Sequence, residues 1–229
     1  MDDLAAEMAA LAERLGPPPG ARGRVVQFLA ADAAADAAEI ARAFALEMTR
    51  RAARGVWLVE LDLLKSAQHR HFEDRQDQYG ALGPPARASP GEDLPFTVTP
   101  KDPAGPADGA YVYAQSVGRR RLYVTRFRRE VLRPGQSVKI LADGAYWEAL
   151  RPHADYVVVD APALDRSPAG LAAAPYMDDN VLVLSGRSRN PGSALEVKRA
   201  LAVAGARCSG LVLRDAPPEP PAFLMRLLS

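Results

Sequence analysis

A chain of 229 residues with 48% apolar content is long enough to bury one α/β core of ordinary size, and a formal net charge of +1 argues against nucleic acid held by the whole surface. The single cysteine, Cys208, excludes an internal disulfide or a thiolate metal cluster and reads as a small residue beside a buried strand. No apolar run approaches the roughly 20 residues that span a bilayer, and the acidic opening Met1-Asp2-Asp3 is unlike a signal peptide, so the expected location is the cytoplasm.

Leu4, Met8, Leu11 and Leu15 predict an amphipathic N-terminal helix, closed by Gly16-Pro17-Pro18-Pro19-Gly20. Residues 1–20 are therefore read as a helix and linker docked on the domain or on a partner, and 21–229 as one domain. Strand 24–31, helix 36–53 (Ile40, Phe44 and Met48 at helical spacing) and strand 56–62 come next. Residues 66–110 are rich in proline, glycine and charge and read as irregular. Two alternating runs, Tyr111–Val117 and Leu122–Phe127, predict a hairpin, so that insertion and hairpin occupy about 66–135. A helix is expected at 143–151, a buried strand over Asp155–Asp160, then strand 180–184, helix 191–204 and strand 209–213, with an apolar tail at Phe223–Leu228. Strands alternating with helices predict an α/β fold whose mostly parallel sheet is covered on both faces.

Three segments carry a resemblance. Strand 24–31 enters a loop, Ala31-Asp32-Ala33-Ala34-Ala35-Asp36-Ala37-Ala38, and then a helix; the second strand ends Glu60-Leu61-Asp62; the strand from Asp155 ends Asp160-Ala161-Pro162. This pattern resembles the MinD/ParA-like P-loop ATPases, and specifically the cytoplasmic kinase domain of bacterial polysaccharide co-polymerases, the bacterial tyrosine kinases. The likeness covers 24–65 and 143–215. It implies a P-loop NTPase-like sheet, Asp160 as the Walker B carboxylate, and Glu60 and Asp62 as counterparts of the second strand's metal motif.

The loop departs from that family where the chemistry lies. A working loop uses glycine N–H groups and a lysine on the phosphates and a hydroxyl on Mg²⁺. By alignment those glycine, lysine and hydroxyl positions hold Asp36, Ala37 and Ala38. A carboxylate roughly 5 Å from a phosphate charge is repelled by about 3 kcal/mol at an effective dielectric near 20. Asp36-Ala37-Ala38-Glu39 instead has capping-box spacing, with Asp36 as N-cap and Glu39 reaching back. The loop Ala31, Asp32, Asp36, Ala37, Ala38 and Glu39 is thus expected to supply its own anion and to bind no nucleotide. Ala169 and Arg214 stand where the family often has an Asp and an adenine-contacting Asn, and the tail after Pro217 lacks the family's tyrosines.

No catalytic residue, cofactor or metal site is expected, although Asp62 and Asp160 could hold a weak Mg²⁺. Arg119, Arg120, Arg121, Arg126, Arg128 and Arg129 (with Arg133) form the densest basic run; it reads as a solvated hairpin edge or, alternatively, as a surface for an acidic partner. His69 and His71 read as residues of a polar surface loop rather than metal ligands. The resemblance, taken with the degenerate loop and the tail without tyrosine, implies a non-catalytic regulatory or scaffolding protein, a pseudokinase, of exopolysaccharide, capsule or holdfast assembly. It would sit at the inner membrane through a co-polymerase, without membrane insertion or nucleic acid, and a homodimer is possible through the N-terminal helix. The alternative is an atypical ATP-binding ATPase or kinase of the same superfamily.

Overall fold

The structure is a computed structural model and describes residues 2–18, 20–101, 105–187 and 192–215. The tail expected at Phe223–Leu228 lies outside the described residues. Ten strands are present among them: β1 (Arg24–Ala30), β2 (Val56–Glu60), β3 (Ala86–Arg87), β4 (Phe96–Thr99), β5 (Val112–Ser116), β6 (Leu122–Phe127), β7 (Ser137–Ile140), β8 (Tyr156–Ala161), β9 (Asp179–Ser185) and β10 (Cys208–Arg214). The α-helices are α1 (Asp2–Leu15), α2 (Ala37–Met48), α3 (Ala67–Glu73), α4 (Gln76–Tyr79), α5 (Ala145–Leu150), α6 (Ala169–Ala173) and α7 (Ser193–Val203).

Eight strands form one sheet in the order β10-β9-β1-β8-β2-β6-β5-β3, parallel from β10 through β6 and antiparallel at β5 and β3. β1, β8 and β9 are buried along almost their whole length, which is why they read as continuous apolar runs. Alternation along these strands sorts two cores. Val25, Leu29, Val157 and Val159 face α5, α6 and α7, while Val26, Phe28, Tyr156 and Val158 face α1, α2 and α3. On α2 the predicted stripe Ile40, Phe44 and Met48 is fully buried, on the order of 2 kcal/mol for each side chain. α1 packs on α2 through Met8 and Ala12.

The segment 66–110, expected to be irregular, carries α3, α4, β3 and β4. β4 pairs antiparallel with β7 in a separate two-stranded sheet, closed by Phe96, Val98, Tyr111 and Phe127. Val56, Leu58 and Glu60 share one face of β2, and Tyr156, Val158 and Asp160 share that face of β8, so the register Glu60↔Asp160 sets two carboxyls side by side beneath α2 and α3. Both lie at the C-terminal ends of parallel strands, where open α/β sheets bind ligands. Among the described residues no helix is long and apolar enough to cross a membrane.

Candidate functional site

The loop between β1 and α2, the ends of β2 and β8, and the start of α3 enclose a cleft of about 330 Å³ lined by Asp32, Asp36, Glu60, Asp62, Lys65, Asp160 and Arg166. The structure brings together Asp32, Asp36, Glu60, Asp62 and Asp160 of the carboxylates singled out in the sequence, while Glu39 lies outside the cleft. Each is already engaged. Asp32 Oδ1 accepts the N–H of Ala34 at 2.9 Å, and its Oδ2 accepts the Ser193 hydroxyl at 3.3 Å. Asp36 caps α2 by accepting the N–H of Glu39 at 3.0 Å. This is half of the expected capping box. Glu39 does not close the other half, because its carboxylate pairs with Arg214 at 3.1 Å across the β1–β9–β10 side of the sheet. A guanidinium outcompetes a backbone N–H for an exposed carboxylate when it can reach it.

Asp62 pairs with Arg166 at 2.7 Å and lies 3.8 Å from Lys65. Glu60 turns inward and caps α3: its two oxygens accept the N–H groups of Ala67 and Gln68 at 2.9 and 3.0 Å. Ser66 precedes that helix in a left-handed conformation and contributes no side-chain cap, so the carboxylate six residues upstream takes the cap's place. Burial, and next the neighbouring Asp160, push the Glu60 carboxyl up to about 8, against the opposing pull of its two N–H bonds. Asp160 is raised to about 6, by burial first, while the amide of Gln68 pulls the other way.

Gln68 is the residue that sequence reasoning missed. It is fully buried, and its amide nitrogen donates to Asp160 Oδ2 at 2.7 Å and to the Ala38 carbonyl at 2.9 Å. Its amide oxygen accepts from the Arg42 guanidinium at 2.9 Å. The side chain therefore bridges the end of β8 to the first turn of α2. In the P-loop resemblance Asp160 is the Walker B position and the side chain of Ala38 the hydroxyl position; Gln68 reaches the carboxylate of the first and the main-chain carbonyl of the second. Ala38 presents a methyl group where a hydroxyl would face Mg²⁺, the Asp160 carboxylate is engaged by the Gln68 amide, and the N–H groups of Ala34 and Glu39 are taken by Asp32 and Asp36. The residues present do not fit Mg²⁺ with a nucleoside triphosphate. Among the described residues no cluster of His, Cys, Asp and Glu has the geometry to hold a metal ion.

His69 and His71 do not lie in a surface loop. Both are on α3, and His69 is buried with Nε2 2.7 Å from Gln115 Oε1. His71 lies 3.4 Å from the Tyr79 hydroxyl; burial, then Arg42 and Arg75, lower it to about 4 and keep it neutral. A short polar helix with no cap from its own N-cap residue leaves no local signal, which is why the composition read as loop. The arginine run divides as well. Arg119, Arg120 and Arg121 are exposed at the β5–β6 turn, where Arg120 donates to the Tyr79 carbonyl at 2.6 Å and Arg121 donates to the carbonyl of Ala53. Arg128 and Arg129 are exposed beyond the other end of β6, and Arg126 donates to the Tyr113 hydroxyl at 2.7 Å. A six-residue strand, roughly 20 Å long, separates the two groups, so they are two basic patches and not one.

No protein-family model and no curated protein matches the chain. Among solved structures it resembles the BceF tyrosine kinase domain, with 15% identity and a TM-score of 0.57 over 94% of this chain and 77% of that one. The VpsO kinase domain matches with 15% identity and a TM-score of 0.52 over 84% of each chain. The chimerical protein CapA2B2 matches with 14% identity and a TM-score of 0.56 over 87% of this chain and 79% of that one. The chain thus has the α/β fold of these kinase domains, a mostly parallel sheet flanked by helices.

Proposed function

We propose that this chain is a nucleotide-independent relative of the bacterial tyrosine kinase domains, a pseudokinase that works by protein–protein contact. The observation that carries the reading is the Gln68 bridge between Asp160 and Ala38, together with the Asp32 and Asp36 caps on the loop. Groups that would face phosphate and metal are satisfied within the chain, so the fold needs no ligand to hold its loop. The fold likeness to the VpsO and BceF kinase domains supports a place in exopolysaccharide, capsule or holdfast assembly. In that role the protein is cytoplasmic and reaches the inner membrane through a polysaccharide co-polymerase. The exposed arginines at the two ends of β6, Arg119 to Arg121 and Arg128 with Arg129, are the surfaces offered to an acidic partner segment, since guanidinium groups suit bidentate contact with carboxylates.

The test is capture of the purified protein by the cytoplasmic segments of a membrane polysaccharide co-polymerase, with and without Mg·ATP. Binding of equal strength in both conditions is expected. Binding that appears only with Mg·ATP would transfer the chain to the atypical ATPase or kinase reading.

A further inference from the structure

A second concavity lies on the side of α2 that faces away from the sheet. It encloses about 680 Å³ and is lined by Ala43 and Leu46 of α2, Leu4 of α1 and Tyr79, with Arg42 and Arg120 among its charged residues. The outward stripe of a surface helix is ordinarily polar; here Ala43 and Leu46 interrupt it, set among Glu39, Arg42, Glu47 and Arg50.

Two features indicate an occupant from the same chain. The first is where β10 ends: Arg214, its last residue, pairs with Glu39, which itself lines the groove. The second is the sequence that follows. Residues 216–222 include Pro217, Pro218, Pro220 and Pro221, and after them Phe223, Leu224, Leu227 and Leu228 recur at helical spacing. A proline-rich stretch extends about 3 Å per residue, so 216–222 can reach roughly 20 Å. From Glu39 to Arg50 the groove runs about 16 Å along the helix axis. We propose that this groove is the docking site of the chain's own segment Phe223–Leu228, seated in cis with one apolar face on Leu4, Ala43 and Leu46. This surface is separate from the loop cleft, and the proposal does not depend on whether that cleft binds nucleotide.

Disulfide trapping in the full chain tests it. With Cys208→Ser as background, Leu46→Cys and Leu224→Cys are combined, and oxidation is followed in a glutathione buffer at dilute protein. The comparison protein carries Val203→Cys with Leu224→Cys; Val203 is 90% exposed on α7, which packs on the opposite face of the sheet. Docking in cis predicts a monomeric disulfide that forms about tenfold faster in the first protein, from the higher effective concentration of a seated segment. Ala43→Cys with Leu224→Cys, a smaller change to the groove, must show the same preference. Equal rates in the groove and comparison proteins would overturn the proposal. A disulfide-linked dimer in place of the monomer would also overturn it, by assigning the segment to another copy.

Discussion

Replacing Gln68 with leucine keeps the side-chain volume but removes the amide that joins β8 to α2. In its absence Asp160 loses the donor 2.7 Å from its carboxylate, the Ala38 carbonyl loses a partner at 2.9 Å, and Arg42 loses its acceptor. Arg42 and Ala38 are half-buried and can recover water, whereas Asp160 is buried. A buried polar group stripped of its partner costs about 1–3 kcal/mol, with charged groups at the upper end, so the sum is roughly 3 kcal/mol. For a chain of this size that lowers Tm by about 6–12 °C. The loss depends on pH, because Asp160 in the wild type titrates near 6 and is mostly ionised at pH 8 but mostly neutral at pH 5. Urea unfolding of Gln68→Leu against wild type at pH 5 and pH 8 is the assay, and the larger deficit is expected at pH 8. A deficit below about 1 kcal/mol at pH 8, or one of equal size at both pH values, would refute the bridging role.

Three further outcomes are expected. Glu60 and Asp160 hold protons in the folded chain that the unfolded chain releases near 4.5 and 3.8, so wild-type stability falls as pH rises through that window toward 8. Asp160→Asn removes its own share of that slope, below about 6, and Glu60→Gln its share from about 4.5 to 8, the part that remains above 6; urea midpoints unchanged across pH 5 to 9 in the wild type would contradict this. Asp36→Ala removes the α2 cap and costs about 1 kcal/mol by thermal or urea unfolding, and a neutral result would show that the N–H of Glu39 finds another acceptor. Charge reversal at Arg119 and at Arg129, on opposite ends of β6, is expected to weaken co-polymerase capture in each case, and capture unchanged by both would refute the arginine surfaces as the docking site.

The strand–loop–helix frame was legible because its signals are local. Arg24–Ala30 is an apolar run, α2 repeats its core residues every turn, and Asp36 caps it three residues ahead of the N–H it accepts. Asp160 and Asp62 were legible as strand-end carboxylates for the same reason. Gln68 was not, because each of its partners is distant in sequence: Ala38 is 30 residues away, Arg42 is 26 and Asp160 is 92. The helix that carries Gln68 is held at its start by Glu60 rather than by Ser66, so no capping pattern marks it in the sequence. Glu39 shows the converse. Its spacing to Asp36 fits a capping box, but a tertiary partner, Arg214, captured its carboxylate. The arginine run illustrates a third limit, since residues close in sequence are carried to opposite ends of the strand between them.

The central claim is that the polar groups of the loop and strand ends are satisfied by the chain itself, and a calorimetric titration of the full chain with Mg·ATP tests it most directly. The account predicts no binding heat at millimolar nucleotide in the wild type. It predicts none after Asp36→Gly, Ala37→Lys and Ala38→Thr are introduced together, because Gln68 still engages Asp160. Saturable micromolar binding by the wild-type chain would contradict the account.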